Sequence, residues 1–245
     1  MPTRPSHTIA KQLVSAQTAI FNSLSDKKIQ ARLADYGYGP ARLREGQKLY
    51  EAARLAVNAK ASRAGGQQDN TAAFNQSFKA AKAAYQALAK VARAVWLHDK
   101  PRLAILGITG SMPASTAGFL AAAFTLFDNA ASGSDAVGGL ADYGYTKARL
   151  ASERKKIEAC EKADRDQEAA KGDAQDAARC QDRALKDLNE WVSRFLKIAR
   201  VALSGNREYL EKLGVLARSG KTKKQRQAPA KVRLTRQARK QTAVK

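Results

Sequence analysis

The side chains most capable of nucleophilic chemistry are two cysteines, Cys160 and Cys180, and two histidines, His7 and His98. A catalytic cysteine needs a neighbouring base that helps to form the thiolate, and no histidine lies close to either cysteine in the sequence. No Cys-x-x-Cys pair is present for metal binding or redox exchange. Two histidines in these positions also cannot build a serine triad. The sequence therefore predicts no nucleophilic catalysis.

Acidic residues with helical spacing are the next candidates, because paired carboxylates can bind metals or act as acid and base. No Glu-x-x-His motif of a di-iron bundle accompanies them. Basic residues are interleaved with the acids, a pattern typical of a solvated face with ion pairs; the acids are Glu158, Glu161, Asp164 and Glu168, and the bases are Arg154, Lys155, Lys162 and Arg165. We therefore expect no metal and no cofactor, and a protein that is not an enzyme.

Two Tyr-Gly-Tyr segments carry the most suggestive aromatic residues, each followed by an arginine. Aromatic rings beside arginine can stack on nucleic-acid bases or bind a partner peptide. The alternative is structural, with one tyrosine of each pair packing against the start of the next helix. The candidate partner-binding turns comprise Tyr36, Tyr38, Arg42, Tyr143, Tyr145 and Arg149.

The C-terminal segment is strongly basic: residues 216–245 contain 11 of the 44 Lys and Arg residues and none of the 22 acids. With few large apolar residues, residues 217–245 are predicted to be disordered when free. Such a tail binds phosphates by releasing counterions, without reading base sequence. The candidate polyanion-binding residues are Lys221, Lys223, Lys224, Arg226, Lys231, Arg233, Arg236, Arg239 and Lys240.

The net charge of +22 favours polyanions or anionic surfaces as partners. Residues 1–215 hold 33 basic and 22 acidic residues, so the body itself carries +11. The first residues lack the apolar core of a signal peptide, and the most apolar stretch, residues 117–127, is too short to span a bilayer. A cytoplasmic location is the expectation from these features.

An internal repeat of about 107 residues determines the predicted organisation. The segment Leu33-Ala-Asp-Tyr-Gly-Tyr38 recurs as Leu140-Ala-Asp-Tyr-Gly-Tyr145, and the spacing between Leu33 and Leu140 defines the repeat offset. The same offset aligns further residues without a gap over about a hundred positions, which indicates a duplication. The predicted domains are residues 1–109, residues 110–216 and a basic tail at 217–245.

Each copy is predicted to be a helical unit, so the chain is expected to be all-α. In the first copy, helices are expected at about 8–24, 40–64, 70–98 and 100–106, with helix hairpins turning at Gly65-Gly66 and at Gly172-Asp173. Apolar residues spaced alternately by four and three indicate a helix-packing seam; they are Phe74, Phe78, Ala81, Tyr85, Leu88, Ala92 and Val95, matched by Gln181, Leu185, Leu188, Val192, Phe195, Ala199 and Ala202. We expect two long antiparallel hairpins in an elongated four-helix bundle. An open solenoid-like stack is the alternative.

The predicted hairpin places Cys160 and Cys180 on opposite arms, where they could face each other. Their counterparts one repeat offset earlier are Ala53 and Ala73, so two small buried residues are expected. A disulfide stays open as a geometric alternative, disfavoured in a reducing cytosol.

Two functional hypotheses follow. The first is a non-enzymatic helical-repeat scaffold that contacts nucleic acid or another polyanion without sequence specificity. The second is a protein–protein interaction or structural module with two equivalent docking surfaces at the tyrosine turns.

Overall fold

The computed structural model describes residues 8–132 and 139–215 of the chain. These residues form α-helices and connecting turns without any strand, which confirms the prediction of an all-α protein. Residues 139–141 are also helical. The helices are α1 (Ile9–Ser25), α2 (Lys27–Ala34), α3 (Pro40–Val95), α4 (Lys100–Ile105), α5 (Thr116–Ser132), α6 (Lys147–Ala202) and α7 (Arg207–Lys212).

The helix bounds recur along the chain at the repeat offset. Helices α5, α6 and α7 begin and end one repeat offset after α1, α3 and α4 respectively. The positive-φ glycines follow the same spacing, with Gly37 and Gly144 both at +80°, and Gly107 and Gly214 at +69° and +73°. Apart from α2, whose counterpart lies mostly outside the described residues, the helices of the two copies therefore follow the same order.

The predicted hairpin turns are wrong. Gly65 and Gly66 lie inside α3, and Gly172 and Asp173 lie inside α6, because each of these helices runs unbroken for 56 residues. A glycine costs a helix interior only about 1 kcal/mol relative to alanine, and the flanking alanine, lysine and glutamine residues favour helix. The long hairpins are therefore not formed, and the four-helix bundle expected from them is not confirmed.

The chain divides into two compact units. Unit 1 contains the described residues 8–54 and 184–215, and unit 2 contains residues 55–132 and 139–183. Unit 1 contains the N-terminal part of α3 and the C-terminal part of α6, and unit 2 contains the remaining part of each helix. Each unit therefore draws on both copies of the repeated sequence.

In unit 1, the core lies between α1, α2 and the parts of α3 and α6 that belong to this unit. Trp191 on α6 packs directly over Gly46 on α3, where a Cβ atom would lie 2.4 Å from the indole ring. The indole stacks on Phe195 with ring centroids 5.1 Å apart and meets Tyr38 edge-on at 5.8 Å. The absence of a side chain at Gly46 is what makes room for this aromatic cluster.

In unit 2, α5 supplies the largest fully buried side chains, Phe119 and Phe127. Phe119 on α5 meets Phe78 and Tyr85 of α3 edge-on, at centroid distances of 5.0 and 5.7 Å.

Two side-chain contacts in unit 2 show the relative direction of α3 and α6. Gln167 on α6 donates to Thr71 Oγ1 on α3 at 3.3 Å, and nearer the start of α3 the Arg63 guanidinium lies 2.9 Å from Asp173 of α6. Since numbers rise along α3 as they fall along α6, the two helices are antiparallel here.

The apolar seam predicted from the four-three spacing is confirmed. Ala81, Tyr85, Leu88 and Ala92 are buried in unit 2, where Phe74, Phe78 and Val95 are partly buried against the same core. The matching positions of α6 in unit 1 are buried at Leu185, Leu188, Phe195 and Ala199, and are half-buried at Val192 and Ala202.

The prediction for the cysteines is half right. Cys160 is fully buried, but Cys180 is exposed. Both lie on the single helix α6, so 20 residues at 1.5 Å per residue separate them by about 30 Å, far beyond disulfide reach. The same pattern holds at their counterparts, since Ala53 is buried and Ala73 is exposed.

Candidate interaction surfaces

The first Tyr-Gly-Tyr turn is built by a glycine cap at the end of α2. The amide of Tyr38 donates to Leu33 O at 2.9 Å, and the amide of Gly37 donates to Ala34 O at 2.9 Å. These two bonds form a Schellman motif, which requires the left-handed backbone that Gly37 adopts. The chain then turns directly into α3, which begins at Pro40 as predicted.

The second turn has the same geometry. The amides of Tyr145 and Gly144 donate to Leu140 O and Ala141 O at 3.0 and 2.9 Å. Thr146 caps the start of α6, because its hydroxyl accepts from the Arg149 amide at 3.3 Å.

One tyrosine of each pair is a packing residue. Tyr38 and Tyr145 are buried, at 4% and 3% exposure. Arg42 and Arg149 lie over these rings, at 4.6 and 4.1 Å from the centroids. Each guanidinium also donates to the glycine carbonyl of its own turn, Arg42 at 3.5 Å and Arg149 at 3.2 Å. The packing of one tyrosine of each pair agrees with the structural alternative. The two arginines, which were candidate partner-binding residues, also stabilise their own turns.

The other tyrosine of each pair faces solvent. Tyr36 is 49% exposed and Tyr143 is 61% exposed. Of the six residues in the two turns, these two are the ones whose aromatic surface is available to a partner. The tail residues from Lys221 to Lys240 lie outside the described part of the chain.

A basic surface on α3 was missed by sequence reasoning. Residues 70–98 contain no acid, and the basic residues Lys79, Lys82, Lys90 and Arg93 are spaced by three, eight and three. This spacing puts them on one face of a helix, and Lys79, Lys90 and Arg93 are exposed while Lys82 is half-buried. Counting the acidic residues along each predicted helix would have identified this basic face.

This basic face borders a groove of about 460 Å³ in unit 2. Its wall on the other side is the loop that joins α4 to α5, from Thr109 to Met112. The lining contains basic and neutral side chains and no acid; it consists of Tyr85, Gln86, Ala89, Lys90, Arg93, Thr109, Gly110, Ser111 and Met112. Arg93 ties helix and loop together, because its guanidinium donates to Ile108 O at 2.9 Å and to Gly110 O at 3.0 Å.

A second groove, of about 550 Å³, lies beside α6 in unit 1, and its charge is mixed. The lining residues are Lys186, Asn189, Glu190, Ser193 and Arg194. Asn189, the counterpart of Lys82, donates to Gln12 Oε1 on α1 at 2.8 Å. Because of Glu190, this surface of α6 is a weaker attractor for anions than the acid-free face of α3.

The acidic string on α6 is an ion-paired surface, as predicted. Most of its partners lie one helical turn away and are well exposed, so each pair contributes little to stability. The pairs are Arg154–Glu158, Lys156–Glu153, Arg165–Glu161, Lys171–Glu168 and Arg179–Asp176. Arg154 also contacts Asp128 at 2.5 Å, and this partner raises the pKa of the guanidinium.

Within residues 8–132 and 139–215, no three His, Cys, Asp or Glu side chains come together as a metal would require. Burial raises the pKa of the Cys160 thiol, and a nearby Asp164 adds to this, while a hydrogen bond from Ser77 acts in the opposite direction. A raised pKa keeps the thiol protonated and unreactive at neutral pH.

No helix in the described parts of the chain is both long and apolar enough to cross a membrane. Comparison with known proteins gives no match to a family model, to a curated protein or to a solved structure.

Proposed function

We propose that the chain is a non-enzymatic helical scaffold, derived from a tandem duplication, that contacts nucleic acid through its phosphates without reading base sequence. The observation that carries this proposal is the distribution of charge. Residues 216–245 supply 11 basic residues without an acid, and the rest of the chain adds a net +11. A surface of this kind attracts phosphate backbones through counterion release.

The two long helices differ in how their basic and acidic residues are balanced. Helix α3 carries ten basic and three acidic residues, whereas α6 carries fourteen basic and eleven acidic residues. Ion pairs within α6 satisfy many of its charges. The excess positive charge of the two long helices therefore lies mainly on α3.

Binding to a mixed-sequence duplex DNA and to a single-stranded RNA tests the proposal, over about 50 to 200 mM salt. The full chain is compared with a full-length variant in which the nine tail residues Lys221, Lys223, Lys224, Arg226, Lys231, Arg233, Arg236, Arg239 and Lys240 are glutamine. We expect the wild-type affinity to fall steeply with salt, and the tail variant to bind more weakly with a shallower slope. Absence of binding by the wild type at low salt would overturn the proposal.

A second candidate function is a docking module, favoured by the exposure of Tyr36 and Tyr143 at equivalent turns. Exposed tyrosines are common anchors in protein interfaces. Pull-down experiments with the wild type and with the variant Tyr36→Ser/Tyr143→Ser test it. A protein that is captured by the first and lost from the second would support docking at these turns, and identical capture profiles would count against it.

A further inference from the structure

We propose that the groove between α3 and the loop 109–112 in unit 2 is the phosphate-binding site of the helical body. This inference deepens the proposed function, since it assigns nucleic-acid contact to a defined surface outside the tail. The occupant is the sugar-phosphate backbone of a nucleic-acid strand, with its phosphates following the basic face of α3.

The first argument is the charge along α3. Lys79, Lys82, Lys90 and Arg93 share one helix face within a stretch, residues 70–98, that contains no acid. Elsewhere in unit 2 the cations of α6 alternate with carboxylates that pair with many of them. Cations without neighbouring carboxylates attract phosphates most strongly, because no internal pair must be broken first.

The second argument is the chemistry of the facing loop. Thr109, Gly110 and Ser111 are exposed at the groove, and they offer two hydroxyl groups together with backbone amides. Hydroxyls and amides donate to phosphate oxygens in many nucleic-acid complexes. The groove therefore combines cations from the helix with neutral donors from the loop.

The third argument is the rigidity of the arrangement. Arg93 binds two loop carbonyls, and this contact keeps the loop beside the helix. Below the loop, Ile108 and Leu106 are buried in the core of unit 2. Arg93 is thus a positioning residue, Lys90 is the remaining cation of the groove lining, and Lys79 and Lys82 extend the basic face along α3 beyond the groove.

The equivalent face of α6 in unit 1 supports the assignment to α3. The positions of α6 equivalent to Lys79, Lys82 and Lys90 are Lys186, Asn189 and Lys197, and Glu190 lines a groove there together with Lys186 and Asn189. One cation is replaced and one carboxylate is added. We therefore expect the surface of α3 to dominate binding by the body.

The test uses the full chain and the variant Lys79→Gln/Lys82→Gln/Lys90→Gln. A matched control, Lys147→Gln/Lys155→Gln/Lys162→Gln, removes the same charge from exposed lysines of α6. Binding to a mixed-sequence duplex is measured at several salt concentrations. The groove variant is expected to bind roughly tenfold more weakly and to reduce the salt slope by about two to three, since each lost phosphate contact removes about 0.9. The control is expected to change both quantities much less.

The outcomes separate this inference from the proposed function. If the wild type binds but the groove variant and the control behave alike, the groove is not the site and the tail accounts for binding. If the wild type does not bind at all, the proposed function fails and this inference fails with it. A third variant, Lys79→Arg/Lys82→Arg/Lys90→Arg, keeps the charge. If this variant binds with the affinity of the wild type, the weaker binding of the glutamine variant results from its lost charge and not from misfolding.

Discussion

Unit 1 and unit 2 contain equivalent segments of the two repeat copies, but they fill their cores differently. Unit 1 packs Trp191 over Gly46, whereas the positions one repeat offset away are Ala84 and Glu153, which belong to unit 2. A large residue beside glycine in one unit thus corresponds to a small residue and a longer one in the other.

Unit 2 contains a similar pair at a different place. A Cβ atom on Gly139 would lie 3.1 Å from the Trp96 ring, and the counterparts in unit 1 are Arg32 and Leu203. Each unit therefore has one buried tryptophan against one glycine, at positions that are not equivalent. The shared bounds depend instead on what both copies retain, namely the glycine caps and the apolar seam.

The largest effect is expected from Trp191→Ala. The side chain is buried and contacts Phe195 and Tyr38, so its removal leaves a cavity over Gly46. We expect the free energy of unfolding to fall by about 3–5 kcal/mol, measured by urea denaturation. A loss below about 1 kcal/mol, the value of a surface substitution, would mean that the cluster does not stabilise unit 1.

Trp191→Phe serves as the control. The indole Nε1 of Trp191 is buried without a hydrogen-bond partner, and an unpaired buried donor costs about 1–3 kcal/mol. Phenylalanine keeps an aromatic ring on Phe195 and removes that donor. We therefore expect this variant to lose much less stability than Trp191→Ala.

Glycine substitutions in α3 sharpen the comparison, because the same change is expected to have opposite signs along one helix. A Cβ atom at Gly46 would meet three ring atoms of Trp191 at 2.4 to 2.6 Å, whereas a Cβ atom at Gly65 would have no other atom within 4 Å apart from the adjacent helix backbone. We expect Gly46→Ala to destabilise by about 1–3 kcal/mol and Gly65→Ala to stabilise by about 0.5–1 kcal/mol. Thermal unfolding followed by circular dichroism distinguishes them, and an increase in stability for Gly46→Ala would contradict the packing described.

The sequence predicts the local elements of this fold better than their connection. Helix starts and seam positions depend on neighbouring residues, and the sequence predicts the start of α3 at residue 40 and the seam positions from Phe74 to Val95. The double glycine at Gly65 resembles a hairpin turn, but its cost to a helix is small and the flanking alanine and glutamine residues favour helix. A turn motif alone does not reveal that balance.

The surfaces show a similar limit. The packing roles of Tyr38 and Tyr145 followed from their position before a helix start. The groove beside Lys90 depends on where the loop 109–112 lies, which is a tertiary property without a local motif. The acid-free stretch of α3 was present in the sequence, but its importance becomes clear only beside the ion-paired face of α6.

Gly37→Ala and Gly144→Ala test whether the two turns are energetically equivalent. Both glycines have φ of +80°, and the nearest atoms to an added Cβ, on Arg42 and Arg149, lie at 3.7 and 3.5 Å. With space available, the cost is that of left-handed backbone, about 1–2 kcal/mol for each. We expect equal losses by urea denaturation. Losses that differ by more than about 1 kcal/mol would show that packing in the surrounding unit changes how much each turn contributes to stability.

The smallest effect concerns Cys160, whose counterpart Ala53 is buried at the matching position. Burial raises the pKa of the thiol above its ordinary value of 9.0, so the folded state holds this proton more tightly than the unfolded state. The resulting stabilisation is complete below the ordinary pKa and is lost as the pH rises through the higher folded value.

We therefore expect the wild type to lose more stability than Cys160→Ala when the pH is raised through and beyond the ordinary thiol value. Urea midpoints measured along a pH series check this, with Cys180→Ala as the matched control, because Cys180 is exposed. Thiol labelling of the native wild type gives an independent measurement. One cysteine should react at once, and the second only when the protein unfolds, because the reagent cannot reach a fully buried sulfur. Rapid labelling of both cysteines in the native protein would show that α3 and α6 separate readily around Cys160, and Ala53 and Cys160 would then no longer be equivalent core positions.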